Sequence, residues 1–181
     1  MARSPIKLVP HITANQEYHR YHNLGRLAIY VTEVAGQEVL IANVYGYTGG
    51  HTDLEAAQGT DDIIAVIIDE IAKKVRKIPI LIVGDLNADV DDLPLLHDLI
   101  VEHRWRDCGA CASFWGGTDK QPTCFASHAK EATRRDFMIV SPLWFKGVAK
   151  FEVTNSDSFS VHQLIGMAVN LGNLKVKLNK F

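Results

Sequence analysis

The 181-residue chain lacks the features that mark disulfide-rich, membrane-spanning or strongly charged proteins. It has only 3 cysteines, an odd number that gives no indication of a disulfide framework. No apolar run reaches the length of a transmembrane helix, and residues 1–8 lack the long apolar segment of a signal peptide. A net charge of −2 offers no general attraction for nucleic acid or an anionic membrane. We therefore expect a soluble intracellular protein that does not associate with membranes.

Internal repeats, low-complexity tracts and linkers rich in Gly, Ser or Pro are also missing. The 47% of hydrophobic residues are enough for a substantial core, so we expect one domain over residues 1–181. Residues 1–23 are its least regular part, because prolines and histidines are scattered there among polar groups. Nothing in the sequence indicates an obligate protein partner.

Hydrophobic periodicity predicts a chain that begins with a hairpin and continues into a long helix. Residues 27–34 and 39–45 alternate as two strands joined by a turn. Thr52 and Glu55 then fit a capping box, and isoleucines at helical spacing carry the predicted helix to about Lys77. The basic residues at the end of this helix are interpreted as solvated charges that oppose the helix dipole.

A second, shorter helix is predicted over residues 93–100, with Asp91 or Asp92 as its cap. Further strands are predicted at residues 137–140, 151–153, 164–169 and 174–178. Since helices and antiparallel hairpins alternate along the chain, the fold class is predicted to be an α/β sandwich with mixed sheets.

The most informative stretch is Ile80–Ala88, where an apolar run ends in Gly84-Asp85-Leu86-Asn87. Because side chains alternate along a strand, Asp85 and Asn87 are predicted to share one face, with Leu86 pointing into the core. A carboxylate takes a proton from water or holds a cation, and an amide orients that water without titrating. The pair suits hydrolysis. The same residues also suit a strand end followed by an Asx turn, and this motif alone leaves both interpretations open.

Other motifs follow in a defined order along the chain. They are Asn43-Val44-Tyr45, Pro122-Thr123, Arg135-Asp136 followed by 137–141, Ser156-Asp157, and His162. This order resembles the endonuclease/exonuclease/phosphatase superfamily, the metal-dependent phosphodiesterases with a DNase I-like fold, over roughly residues 24–170. The resemblance implies a DNase I-like sandwich, a phosphate-ester substrate, of which nucleic acid is one class, and Mg²⁺ as the cofactor.

The resemblance also implies a role for each matching residue. Asp85 would orient or deprotonate the attacking water, and Asn87 would hold the same water or a phosphate oxygen. Asp136 would fix the tautomer of His162, which would donate to the phosphoryl oxygen and stabilise the charge that develops there. Tyr45 would bring its hydroxyl to the scissile phosphate.

Asn43 and Arg135 are taken as substrate-binding residues on the same resemblance. Structural alternatives remain open for two members of the set. Tyr45 is also what an aromatic residue at a strand end would look like, and Asp136 has Arg134 and Arg135 beside it as ion-pair partners.

The chain departs from the family pattern at the metal site. The early strand that carries the family's glutamate is expected to be missing, so that part of the N-terminal half is absent, and Glu17 is the only acidic residue before the hairpin. At the other end, Ser156-Asp157-Ser158 keeps the family's aspartate but not its histidine. We choose His162 over Ser158 for the histidine position and Asp157 as the metal ligand. We expect either weak Mg²⁺-dependent hydrolysis or a catalytically inactive fragment or binding domain of the same fold.

A zinc site is a rival interpretation of a different motif. Cys108, Cys111, Cys124 and His128 reproduce a spacing that small zinc sites use. Glycines and Pro122 interrupt the helix that a finger of this spacing needs before its last ligands. We therefore predict that these residues do not form a tetrahedral zinc site.

Overall fold

The computed structural model describes residues 7–34, 36–125, 131–155 and 161–174. In chain order its elements are β1 (Val9–Pro10), α1 (Gln16–Asn23), β2 (Leu27–Val34), β3 (Gln37–Tyr45), α2 (Leu54–Ala72), β4 (Ile80–Asp85), α3 (Pro94–Val101), β5 (Arg106–Asp107), β6 (Asp136–Val140), α4 (Pro142–Phe145), β7 (Val148–Thr154) and β8 (Leu164–Val169). Short 3₁₀ turns lie at Val90–Asp92, Gly109–Trp115 and Leu171–Leu174. In these ranges no helix has both the length and the apolar character needed to cross a membrane.

Six strands form one mixed sheet in the order β1-β2-β3-β4-β6-β5. β3 and β4 run parallel because α2 crosses between them, and the other neighbours are antiparallel. β7 and β8 pair as a separate two-stranded antiparallel sheet. The mixed sheets and intervening helices confirm the predicted fold class.

The six-stranded sheet buries both faces because apolar residues occupy both alternating sets of its central strands. One face packs against the three longer helices, with Leu40, Ala42, Ile80, Ile82 and Ile139 in its core. The other packs against the two-stranded sheet and the 3₁₀ turn at Gly109–Trp115, with Val39, Leu81, Val140, Trp144 and Phe151 in its core. Each fully buried aliphatic or Phe side chain stabilises this layering by about 1.5–3 kcal/mol.

Helix α2 begins after Asp53, so the predicted cap at Thr52 is wrong. The Asp53 Oδ1 atom accepts from the backbone N–H of Glu55 at 2.9 Å and of Ala56 at 3.4 Å. The Thr52 hydroxyl turns back and donates to the Gly49 carbonyl at 3.2 Å. An aspartate one residue later provides the same acceptor together with a negative charge that suits a helix N-terminus.

The same helix ends at Ala72 and not near the predicted Lys77. The Lys74 N–H closes the last turn on the Ile71 carbonyl at 3.0 Å. Pro79 disfavours a helical conformation for the residue before it, and the chain must straighten there to enter β4. Val75 continues the helical spacing of apolar residues although the helix has already ended.

Helix α3 has Leu93 at its N-cap, with no side-chain oxygen to accept its first N–H groups. Asp61 of α2 replaces the cap, because its carboxylate accepts from the Leu95 N–H at 3.1 and 3.2 Å. The predicted caps Asp91 and Asp92 lie instead in the preceding 3₁₀ turn. A cap supplied by another helix leaves no local pattern in the sequence.

Helix α1 lies where the sequence predicted no element. Asn15 caps it by accepting from the N–H groups of Glu17 and Tyr18, and Tyr18 and Tyr21 bury its inner face. A helix this short, with few apolar residues, gives a weak periodic signal. Among the strands, the prediction for residues 164–169 matches β8 and that for 27–34 matches β2, whereas Leu174 lies in a 3₁₀ turn and residues 175–181 lie outside the described ranges.

Candidate active site

Three polar side chains lie in one row at the end of the six-stranded sheet. Tyr45 of β3 pairs with Asp85 of β4, and Asp85 pairs with Asp136 of β6. By strand alternation they share the face of Val83, which is the face toward the two-stranded sheet. Asn43 lies on the same face one row further along β3, where it is exposed. The register of the sheet therefore brings together residues from three separate motifs.

Two glycines allow the strand ends to come this close. A Cβ atom on Gly84 would lie 1.9 Å from the Val44 carbonyl oxygen, and the Gly84 φ of 144° is one that other residues rarely adopt. A Cβ atom on Gly46 would lie 2.1 Å from the Leu86 carbonyl oxygen. The Gly46 N–H also donates to the Asp85 carbonyl at 2.7 Å, which extends the pairing beyond β3.

Asn87 reaches the site by a different route from the one predicted. β4 ends at Asp85, so strand alternation does not apply to Asn87, whose φ is 54° in the left-handed region. Its N–H donates to Asp85 Oδ1 at 3.1 Å, which is the Asx-turn alternative, and its side-chain amide donates to the Gly46 carbonyl at 3.3 Å. Asn87 is thus held beside Asp85 by a turn and not by a shared strand face.

His162 comes to the site from the segment just before β8. Its Nδ1 atom lies 2.9 Å from Asp136 Oδ2, within hydrogen-bonding distance, as the sequence predicted for this pair. Cys124 forms a single antiparallel bridge with His162, and the adjacent Gln163 N–H donates to the Thr123 carbonyl at 2.7 Å. Ser158, the alternative to His162, lies outside the described residues.

Thr123 holds the backbone of the site through its hydroxyl, a role that the sequence did not predict. It is only 1% exposed, and its hydroxyl accepts from the N–H groups of both Arg135 and Asp136 at 3.0 Å. It therefore fixes the backbone that carries the carboxylate of the histidine pair. The Pro-Thr dipeptide at this place in the motif order was the available signal.

The two neighbouring arginines have separate partners. Arg134 forms a bidentate ion pair with buried Asp107, which rules out the alternative in which Arg134 pairs with Asp136. The Arg135 guanidinium donates to the Asn87 carbonyl at 3.1 Å and lies 2.9 Å from the Nδ1 atom of His51. Arg135 thus lies at the rim of the site, and no sequence signal pointed to His51.

The carboxyl group of Asp85 has a raised pKa. Burial is the main cause, and the negative charge of Asp136 adds to it. The Asn87 N–H, His162 and Arg135 act in the opposite direction without cancelling the effect. A carboxylate with a raised pKa is a stronger base than an ordinary one, which suits it to accept a proton.

Tyr45 is held at the edge of the site by stacking. The Arg26 guanidinium carbon lies 4.9 Å from the centre of the Tyr45 ring and 4.4 Å from that of Tyr47. The same guanidinium donates to the Gly46 carbonyl at 2.7 Å. Since Tyr45 is 48% exposed, its position depends on Arg26 and not on burial. No sequence signal indicated this role of Arg26.

The described residues do not provide a complete Mg²⁺ site. No group of three or more His, Cys, Asp or Glu side chains suited to a metal ion occurs in the ranges that the structure describes. The site has two described carboxylates, Asp85 and Asp136, and that of Asp136 already bonds His162. Glu17 is not part of the site, because it pairs with Arg20 on α1 at 2.7 Å. The predicted metal ligand, Asp157, lies outside the described residues.

The cysteines give no further metal chemistry in the described part of the chain. Cys108 and Cys111 lie at the 3₁₀ turn of Gly109–Trp115. The backbone of Cys124 forms isolated β-bridges with Thr133 and His162. Burial raises the pKa of both the Cys108 and the Cys111 thiol, to about 11 for Cys111. His128 lies outside the described residues, so the zinc prediction remains a prediction.

No family model and no curated protein sequence matches this chain. Solved structures do. An AP endonuclease from Archaeoglobus fulgidus matches at a TM-score of 0.58 and 14% identity, over 91% of this chain and 70% of that chain. The endonuclease domain of TRAS1, a telomere-specific non-LTR retrotransposon, matches at 0.59 and 12% identity, over 92% and 68%.

The 3′ phosphatase NExo from Neisseria, solved bound to a product DNA hairpin, matches at a TM-score of 0.55 and 17% identity, over 78% of this chain and 64% of that chain. The chain thus spans about two thirds of the length of these neighbours. At such low identity the likeness shows the fold. This protein has the DNase I-like fold that the resemblance predicted.

Proposed function

We propose that this chain is a hydrolase of phosphate esters whose proton-handling residues are Asp85, Asp136 and His162. The observation that carries the proposal is the row of Tyr45, Asp85 and Asp136 across three strands, with His162 bonded to its last member. Like charges directly opposite each other destabilise a sheet. A pair of carboxylates kept in this arrangement therefore favours a chemical role.

In the proposed reaction Asp85 accepts a proton from a water molecule as the water oxygen bonds to phosphorus. The bond from phosphorus to the leaving oxygen breaks, and that oxygen takes its proton from solvent. The raised pKa of Asp85 increases its strength as the base, and burial keeps competing water away from it. The side-chain amide of Asn87 uses one N–H on the Gly46 carbonyl and bonds no other described residue through its second, which we assign to the same water or to a phosphate oxygen.

His162 acts on the phosphate from the Asp136 end of the row. With Nδ1 on Asp136, the proton-bearing Nε2 of an imidazolium is the group that donates to a phosphoryl oxygen. This hydrogen bond strengthens as negative charge develops in the transition state. The Tyr45 hydroxyl, the Asn43 amide and the Arg135 guanidinium are proposed as further contacts to the phosphate and its substituents.

Mg²⁺ would supply additional stabilisation of charge on the phosphate. The described ligands do not suffice for tight binding, because Mg²⁺ releases its waters reluctantly and Asp136 is already engaged. We therefore propose weak hydrolysis that rises into the millimolar range of Mg²⁺ without a clear plateau. Nucleic acid is the first substrate to test, because the neighbouring 3′ phosphatase was solved with a DNA product.

The test measures hydrolysis of bis(4-nitrophenyl) phosphate and of a short DNA strand against Mg²⁺ concentration. We expect Asp85→Asn and His162→Gln each to lower kcat by about 100-fold or more, since general base and electrostatic contributions have that size. Asp91→Asn and His97→Gln are matched controls, because both residues are exposed and belong to the α3 region. They should retain full activity.

Circular dichroism would confirm that each variant is folded. Activity that is indifferent to both Asp85→Asn and His162→Gln would remove the assignment. Robust turnover that saturates at micromolar Mg²⁺ would show that further carboxylates complete the metal site.

The second candidate is a catalytically inactive binding domain of the same fold. It is favoured by the small number of carboxylates that the described residues bring to the site. Asp136 is bonded to His162, which leaves Asp85 as the one described carboxylate there without a histidine or cation partner. This candidate predicts that a DNA strand binds without being cleaved at any Mg²⁺ concentration. Binding should then depend on Arg135 and Asn43 and be unaffected by His162→Gln.

A further inference from the structure

A cavity of about 740 Å³ lies at the opposite end of β4 from the candidate active site. The C-terminal part of α2, the segment that follows it, the end of α3 and the start of α4 form its walls. Ile80 at the first position of β4 lines this cavity, whereas Asp85 at the last position belongs to the active-site row. The proposed phosphate chemistry therefore does not use it.

The inner surface of the cavity is apolar. Side chains from five separate segments contribute to it, namely Ile68, Ile71, Ala72, Ile78, Leu99, Trp105 and Leu143. Trp105, 6% exposed, and Ile78 are part of the helix-side core. Pockets of 300–1,000 Å³ with mostly apolar walls and a few polar groups are typical of small-molecule sites.

The polar groups that line the cavity include several cations and no acidic group. The charged ones are Lys74, Arg76 and Lys77, and the imidazole of His103 and the hydroxyl of Ser141 lie beside them. Glu38 holds Lys74 at 2.9 Å. Asp98 lies 3.4 Å from His103. Arg76 and Lys77 are exposed at the rim of the cavity. Among the described residues no carboxylate lies within ion-pair distance of either, so both charges are available to a ligand.

We propose that this cavity binds a small amphipathic anion, with its apolar chain against Trp105 and Ile71 and its anionic group at Arg76 and Lys77. The apolar chain gains from leaving water, since each buried CH₂ group contributes roughly 0.8 kcal/mol. The charges at the rim select an acid over a neutral molecule of the same shape. Such an anion occurs both as a free monomer and as part of a membrane lipid. We assign the free monomer to this cavity.

The experiment uses quenching of Trp105 fluorescence by ω-bromoundecanoate below its micelle concentration. Bromine quenches only at short range, and the other tryptophans, Trp115 and Trp144, belong to the core on the opposite face of the sheet. We expect saturable quenching in the full chain. Trp105→Phe should remove the saturable signal, and ω-bromoundecanol should bind about tenfold more weakly because it lacks the charge.

Two kinds of variant test the site itself. Arg76→Glu combined with Lys77→Glu should weaken binding of the acid by about tenfold or more while leaving binding of the alcohol unchanged. Lys120→Glu combined with Lys146→Glu makes the same change in net charge at two residues that do not line the cavity and should have little effect. Ala72→Phe fills the cavity from the end of α2 and should abolish binding of both compounds.

The opposite results would overturn the proposal. These are unsaturable quenching, equal binding of acid and alcohol, or binding that survives Ala72→Phe. Quenching that appears only with vesicles of brominated phosphatidylcholine and phosphatidylserine would mean that the face meets a membrane and does not bind the monomer. Circular dichroism and thermal unfolding identify any variant that fails to fold, and the comparison of acid with alcohol in the unmodified chain needs no variant at all.

Discussion

Glu70 and Asp85 are two carboxylates that folding removes from water, and their surroundings have opposite effects on them. Four side chains bond Glu70, which is 1% exposed. His11 lies at 2.7 Å, Thr13 at 3.1 Å, Asn15 at 2.9 Å and Lys73 at 2.7 Å. Burial by itself would raise the pKa of Glu70, but these hydrogen bonds outweigh it and lower the pKa to about 2. This cluster ties the N-terminal segment to α2.

Among the described residues Asp85 accepts from one donor, the Asn87 N–H at 3.1 Å, and it lies opposite a second carboxylate on the neighbouring strand. Burial and the Asp136 charge raise its pKa. The charged form of Glu70 is therefore stabilised by the fold, whereas that of Asp85 is destabilised by it. The difference teaches that burial alone does not mark a functional carboxylate, because the number of its donors decides whether it stays inert or can take a proton.

The largest expected effect on stability follows from removing the carboxylate of Glu70, which four side chains bond. Glu70→Ala should lower the free energy of unfolding by about 3 kcal/mol, because it leaves several partly buried hydrogen-bonding groups and the Lys73 ammonium without their partner. Denaturation in urea measures the loss. Asp69→Ala is the matched control, an exposed neighbour that pairs with Lys73 at 2.7 Å and should cost less than about 1 kcal/mol. Equal losses in the two variants would end the distinction between them.

Acid should weaken the same cluster in the unmodified chain. The folded pKa of Glu70 lies below its unfolded value, so its stabilisation is complete above the usual Glu pKa and is lost as the pH falls toward 2. We expect this residue to account for roughly 3 kcal/mol of the loss. Urea denaturation at several pH values would measure it. In Glu70→Gln the dependence between these limits should be flatter, and an unchanged slope would contradict the assignment.

The support beneath the active site should show an intermediate effect. Thr123→Val removes the acceptor for the N–H groups of Arg135 and Asp136 and should destabilise the fold by about 1–3 kcal/mol. Hydrolysis should fall as well, because Asp136 positions His162. Thr123→Ser keeps the hydroxyl and should restore kcat more fully than Thr123→Val does. If both variants behaved alike, the hydroxyl would have no positioning role.

The smallest effect is a gain. Asp85→Asn should raise the free energy of unfolding at neutral pH by up to about 1 kcal/mol, because it removes the repulsion with Asp136 and keeps an acceptor for the Asn87 N–H. The same variant loses hydrolysis. The gain should disappear at a pH low enough to protonate Asp85 in the unmodified chain. A loss of stability at neutral pH would show that Asp85 is a structural residue like Glu70.

Much of the fold could be predicted from the sequence, because β2, β3 and α2 carry periodic patterns and β4 and β8 are short, mostly apolar runs. The order of the motifs also pointed to Asp85, Asp136 and His162, and the structure brings them together. What the sequence could not show depends on partners far along the chain. Asp61 caps a helix that begins 33 residues later, at Pro94. Asn15 and His11 bind a glutamate of α2.

The sequence by itself determined the longer strands of the sheet, helix α2 and the polar residues that end the central strands, because periodicity and turn chemistry act over short distances. Only the tertiary structure decided that Tyr45, Asp85 and Asp136 share one row, since the pairing of β3, β4 and β6 fixes that register. It also decided that the pKa of Glu70 is lowered and that of Asp85 raised, because a pKa depends on burial, charges and donors from the whole fold.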